Sequence, residues 1–367
     1  MNQVVNVLDF EHLLDSLYKC KKNVSWKESV ANFYIHGVEQ ILKLEKQLAD
    51  GTYQPRPTKT VHITHPKERI AVSIAFRDRV YQRSLNDNIV YPLMTRSFIY
   101  DNCACQKGKG TDFARGRLKC HLQRCYRKNG LDAWVLQCDI RHYYDNMRHD
   151  TTNALFREKL PAEYADRVCK ILNEQYLGDT GYNPGSQVVQ IAGISVLDKL
   201  DHKIKERMRI KYYIRYMDDF ILIHHDRNYL IKCMHEIQEE LAKIGLELHP
   251  KKTKLYRVGK GIPFLGFKFR LTETGKVVMS ILGDNVKNEK RKLRKMVKLV
   301  AKGRRTKDKI DQCYSCWVAH AEHGNSYKLI QRMNKFYYEL WRKSYDFSEG
   351  YYESSRGEDG RISQCSD

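Results

Sequence analysis

Apolar residues recur at helical spacing through the first part of the chain. Phe10, Leu13, Leu14, Leu17 and Tyr18 fall on one face, as do Val38, Ile41, Leu42 and Leu48, the i, i+3, i+4 pattern of amphipathic helices. Gly51 and the Pro55/Pro57 pair end this segment. From Thr58 the pattern changes to a strand pair, KTVHITHPKERIAVSIAF, with its turn near Pro66 and Lys67. Trp134 to Asp139, WVLQCD, is an apolar strand that ends on an acid. Tyr212 to His225, YYIRYMDDFILIHH, is a β-prone run with Asp218 and Asp219 at its middle, which predicts a tight hairpin with the acids at its turn. Asn228 to Gly245 returns to the helical period and should back a sheet. Ile262 to Phe269, IPFLGFKF, alternates around Gly266 as a strand with a bulge or turn. From about Val286 the chain is helical again, and from Ser348 it is polar and rich in Gly, Ser and Glu, the composition of a disordered tail.

Charge adds to this pattern. Lys and Arg number 65 against 44 Asp and Glu, a formal net charge of +21 over 367 residues. An excess of that size points to a polyanionic partner, because phosphate neutralisation releases counterions. The length allows two or three subdomains. No apolar run has the length of a membrane span, and MNQVVNVLDFEHLL lacks the basic-then-apolar design of a secretory signal. The 11 cysteines are odd in number and scattered, which fits reduced thiols in a cytoplasmic protein. Cys103 and Cys105 have no partner pair at zinc spacing and read as core thiols. Cys313, Cys316, His320 and His323 fall on one side of a single helix, whereas structural zinc sites draw ligands from two elements.

The acids carry the chemistry. Adjacent carboxylates repel, so a fold that keeps Asp218 and Asp219 beside an apolar core needs a counter-charge, usually a hard divalent cation. Taken alone, the pair reads as a solvated turn, and Asp139 alone reads as a strand-end cap. Together, the YMDD hairpin and the earlier strand running into Asp139 resemble the catalytic motifs of reverse transcriptases. The likeness extends from about residue 60 to 345 and is to the prokaryotic enzymes of group II introns, retrons and diversity-generating retroelements.

That resemblance implies an α+β right-hand polymerase fold, with fingers, an antiparallel palm sheet and a helical thumb. The expected boundaries are a helical segment over 1–57, fingers over 58–133 and palm over 134–282, with a fingers-associated insertion at about 150–183. A thumb over 283–345 and a disordered tail over 346–367 follow. The implied reaction is nucleotidyl transfer with two Mg²⁺ ions, Mn²⁺ being the alternative. Asp139 and Asp218 would bind both ions, with Asp219 assisting.

Other positions carry over one by one. Asp78 to Gln82 resembles the family's DRxxQ helix start. In the fingers, Arg69 is the leading candidate for the incoming triphosphate, with Lys67 and Arg77 behind it. Lys107 and Lys109, in KGKG, resemble a template-contacting turn, which could meet phosphates through its amides and ammonium groups. Tyr144 stands where the family places a steric gate against the ribose 2′-OH. Gly185 and Gln190 fall where the family has GxxxSQ, with Val189 in place of the Ser; Gly185 should allow close backbone approach at the template. Lys252 is the candidate general acid toward pyrophosphate, although Lys251 and Lys254 compete. Phe264, Leu265 and Gly266 resemble the primer grip, and the cationic helices after Val286 should track a duplex minor groove.

The implied partners are an RNA template, a DNA primer with its cDNA, and dNTPs, with an accessory protein or a second copy of the chain as further candidates. Two biological roles compete, diversity-generating retroelement and phage defence; Gln190 leans to the first, while Val189 and the short tail leave the second open. Readings of a different class are a basic RNA-binding protein with a polymerase fold and no turnover, or untemplated or protein-primed synthesis from a tyrosine such as Tyr351 or Tyr352.

Overall fold

The computed structural model describes residues 7–64, 68–183 and 185–356. They form two compact units, one of Met1–His121 with Asp132–Tyr256, the other of Leu122–Leu131 with Arg257–Asp367. Among the described residues no helix is long and apolar enough to cross a membrane.

The first unit opens with helices α1 (Phe10–Lys21), α2 (Glu28–Ile35) and α3 (Gly37–Ala49). Asp9 caps α1 by accepting from the His12 amide at 3.0 Å, which satisfies one of the donors a helix start leaves free. Leu13 and Leu17, one turn apart, are buried beneath it. Strands β1 (Lys59–Ile63) and β2 (Arg69–Ser73) pair antiparallel, Ile63 against Arg69. Lys67, in their turn, lies outside the described residues. Helix α4 (Phe76–Leu85) follows, then α5 (Tyr91–Thr95) and the long α6 (Thr111–Asn129).

The central sheet has strand order β4-β5-β3-β6, from β3 (Trp134–Asp139), β4 (Tyr212–Tyr216), β5 (Asp219–His224) and β6 (Lys254–Arg257). Four successive residues of β4 and of β5 are buried, the mark of strands covered on both faces rather than alternating in and out. Between β3 and β4 lie α7 (Tyr143–Asn146), α8 (His149–Lys159), α9 (Ala162–Gln175), α10 (Gln187–Ser195) and α11 (Asp198–His202). Helix α12 (Arg227–Lys243) packs Leu230, Cys233, Ile237 and Leu241 inward, as its sequence period predicts.

In the second unit, β7 (Ile262–Phe264), β8 (Phe267–Leu271) and β9 (Val277–Ile281) form an antiparallel sheet. Helices α13 (Gly283–Ala301), α14 (Lys307–Glu322) and α15 (Tyr327–Arg356) share a core of Leu293, Met296, Val297, Ile310 and Met333. Two boundaries differ from the sequence expectation. Strands β7 to β9 group with these helices from Arg257, not with a palm ending at 282. Helix α15 continues to Arg356 where a disordered tail from 346 is expected. A polar composition removes burial as a driving force but does not stop a helix already nucleated upstream from propagating. Residues 357–367 lie outside the described residues.

Candidate active site

The hairpin folds as its sequence predicts. β4 and β5 pair with Tyr216 opposite Asp219, leaving Met217 and Asp218 as a two-residue turn. Met217 has φ 57°, the positive φ that primed hairpin turns require at their first central position. A residue with a β-carbon held there is strained by about 1–3 kcal/mol, so its surroundings must hold it. They do so through Arg215, which is wholly buried. One of its nitrogens donates to the Met217 carbonyl at 3.0 Å, and another to the Ile194 carbonyl of α10 at 2.9 Å. The guanidinium also meets Asp201 through two bonds of 2.8 and 2.5 Å, and the Tyr213 hydroxyl donates to the same Asp201 at 2.6 Å.

On the other side β5 pairs with β3, and the register sets Asp139 directly opposite Asp219. All three acids thus meet at one end of the sheet. Burial and the nearby Asp139 charge raise the Asp218 pKa. Burial, with Asp218 and Asp139 beside it, pushes Asp219 up to about 7. Lys252, in the turn before β6, donates to both carboxylate oxygens of Asp139 at 2.9 and 3.1 Å. The geometry therefore singles out Lys252 over Lys251 and Lys254 as the residue touching the acids. Among the described residues no three acidic, histidine or cysteine side chains stand together as a ready-made metal cluster, and the Asp139 carboxylate is turned onto Lys252. The donor set nonetheless fits hard divalent cations: three carboxylates, two of them with pKa raised by burial and by the neighbouring acids.

Tyr144 sits beside this end of the sheet. Its ring lies over Gly193 of α10, where a β-carbon would come within 2.6 Å of the tyrosine oxygen. Its hydroxyl is buried and finds no hydrogen-bond partner among the described residues. The Tyr143 hydroxyl donates to the Gly193 carbonyl, so α10 seats both rings. Cys105 is exposed, not a core thiol. Its Sγ lies 3.7 Å from the Met217 sulfur and 4.0 Å from the Gln190 side-chain oxygen, which places Gln190 at the hairpin tip as well. Cys103 is buried.

Residues 59–269 match the family "Reverse transcriptase (RNA-dependent DNA polymerase)". The chain belongs to the reverse transcriptase family. It is 24% identical over 234 residues to the group II intron-encoded protein LtrA of Lactococcus lactis subsp. cremoris, a match over 59% of this chain and 37% of the relative. The chain thus spans little more than a third of that relative's length. It is also similar to the apo telomerase of Candida tropicalis truncated from the C-terminal domain, at 13% identity and TM-score 0.45 over 67% of this chain and 60% of that one. A telomerase of Candida albicans, solved with a TWJ fragment of telomeric RNA, shows 12% identity and TM-score 0.46 over 71% and 55%. The fold is that of a right-hand polymerase, α+β with an antiparallel palm sheet. Reverse transcriptases use divalent metal ions, in keeping with the carboxylate set here.

Several cationic candidates have other partners in this reverse transcriptase family member. Arg77 donates to Asp78 at 3.1 Å, to Gln47 at 3.2 Å and to the Gln54 carbonyl at 2.5 Å. Its guanidinium ties the segment before β1 to buried Asp78 and does not stand free for a triphosphate. Lys109 donates to the Tyr100 and Asn102 carbonyls at 3.0 and 2.9 Å, so it braces its own loop. Lys107 is held at its amide, which donates to the Tyr91 hydroxyl at 2.6 Å, while its ammonium stands 5.2 Å over the Tyr91 ring. Gly185 permits a close approach, but to the β2 strand: a β-carbon there would lie 2.7 Å from the Val72 carbonyl oxygen. In the second unit, Leu265 and Gly266 form a two-residue turn with φ 46° and 86°, and Phe264 is buried in the core of that unit. The turn is half-buried, while the phenyl ring is not exposed. Asp201, Arg215 and Gly193 were not legible as site residues; an Arg amid apolar strand residues was their one signal.

Proposed function

We propose that this chain is an RNA-directed DNA polymerase, extending a DNA primer along an RNA template to make cDNA. The observation that supports it most is the register that sets Asp139 across from Asp219 with Asp218 at the adjoining turn. Asp139, Asp218 and Asp219 would hold the divalent ions, Mg²⁺ with Mn²⁺ as the alternative. When bound, these would activate the primer 3′-OH and neutralise the triphosphate and pyrophosphate. Lys252, at hydrogen-bond distance from Asp139, would give its proton toward the departing pyrophosphate. Tyr144, held over Gly193, would crowd a ribose 2′-OH and so favour dNTPs. Lys67 and Arg69 remain the cations for the triphosphate, Lys107 and the Leu265-Gly266 turn the contacts for template and primer. An accessory protein or a second copy would complete the working particle.

Gln190 supports service in a diversity-generating retroelement over phage defence; a template and variable repeat pair beside the gene, against a defence operon, decides between them. Primer extension on an RNA template with dNTPs and Mg²⁺, run beside Asp218→Ala, tests the chemistry. Extension by the wild type alone is the expected result. Extension by both would place the site elsewhere. Silence of the native ribonucleoprotein, with RNA still bound, would favour a binding protein that does not turn over.

A further inference from the structure

We infer that Arg215, with Asp201 behind it, is the positioning residue of the catalytic turn, an inference that rests on the polymerase reading above. A solvated turn would leave its carbonyls to water. Here the Met217 carbonyl, flanked by the strained φ of its own residue, receives an N–H from a guanidinium that is 0% exposed. Three further donors of that guanidinium are fixed: two on Asp201, itself 0% exposed, and one on the Ile194 carbonyl. Its main chain is fixed as well, with the Arg215 amide donating to the Asp101 carbonyl at 3.0 Å and the Arg215 carbonyl accepting from the Cys103 amide at 2.9 Å. The guanidinium thus joins three things in one rigid plane: the turn that carries Asp218, the end of α10 one residue beyond the glycine that seats Tyr144, and the buried Asp201.

A buried ion pair is a poor way to gain stability, since apolar side chains of similar volume do as well or better. Its planar fork is a good way to fix a carbonyl in space. A lysine keeps the charge but has one compact ammonium on a flexible stem, which cannot face Asp201, Ile194 and Met217 together. The turn would then be free to relax from positive φ, and Asp218 would shift with it. A displacement of about 1 Å at reacting groups costs on the order of a hundredfold in rate.

Two variants test this. Arg215→Lys should keep the wild-type melting temperature within a few degrees and bind primer–template unchanged, yet lose about a hundredfold or more in kcat. The triple variant Arg215→Met/Asp201→Leu/Tyr213→Phe removes the three polar side chains of the network and leaves no buried charge unpaired, so it should be folded whether or not Arg215→Lys is. It should be as inactive as Arg215→Lys. Activity of a folded triple variant within about threefold of wild type would overturn the inference, because the network would then serve folding alone. Failure of the wild type to extend any primer in the same assay would instead count against the polymerase reading.

Discussion

Lys252 meets Asp139 while about half exposed, with side-chain accessibilities of 53% and 23%. An ion pair so open to solvent contributes about 0–1 kcal/mol to stability. A role as proton donor contributes about 10²- to 10⁴-fold in rate. Lys252→Met should therefore leave the denaturation midpoint almost unchanged and depress single-turnover extension by at least about a hundredfold; equal, small changes in both would mark a surface pair. Tyr144 allows a sharper test. Its oxygen is buried without a partner among the described residues, so Tyr144→Phe should keep or raise stability and leave the preference for dNTPs over rNTPs intact. Tyr144→Ala should lower that preference about tenfold or more. Gly193→Ala, whose new methyl would meet the tyrosine oxygen at 2.6 Å and the ring at 2.9 Å, should lower it as well by moving the ring. A preference unmoved by either Ala variant would remove Tyr144 from the nucleotide site.

At the scale of elements, much depends on one acid beyond the site. Asp101 accepts from Arg117 at 2.8 and 2.6 Å, lies 3.2 Å from His121, and accepts from Lys205 at 3.0 Å. It ties α6 and the π-helical turn Lys203–Arg207 to the segment that pairs with β4. Despite burial, the His121, Arg117 and Lys205 contacts hold its pKa well below the usual carboxylate range. A depressed folded pKa gives stability in full above the unfolded value, near 3.9, and loses it as pH falls through that value toward the folded one. The urea midpoints of wild type and Asp101→Asn should differ by a constant amount from pH 7 to 5 and converge below about pH 4; a gap that widens on acidification would reverse the sign and reject the account. The elements themselves were largely legible, because hairpin and helix periods are local. Asp139, Asp218, Asp219 and Lys252 could be nominated together because each lies in or beside a strand whose pattern is local, and the fold brings the four into one place. The partners of Arg77 and Lys109 were not legible, since spacing does not distinguish a solvated cation from one bonded to carbonyls such as those of Gln54 and Tyr100. The Arg215–Asp201 pair stayed hidden because it closes across a helix end and a strand, and only folding brings its members together.

Over the whole molecule the net charge of +21 sets the terms of binding. If six to ten phosphates are neutralised, affinity for primer–template should fall by about 10³- to 10⁵-fold between 50 and 200 mM salt. Fluorescence anisotropy across that range measures the slope, and a flat response would remove the polyanion as the partner that the charge serves. The contact between Lys252 and Asp139 has a consequence at this scale too. Lys252 balances one of the three carboxylates, and strands with four successive buried residues hold the sheet that carries them, so folding should not wait for divalent ions. Prolonged dialysis against a chelator should leave the thermal melting curve in place, and adding Mg²⁺ back should restore extension without a refolding lag. In a cell short of free magnesium, such a protein would remain assembled and silent, held ready by its buried sheet.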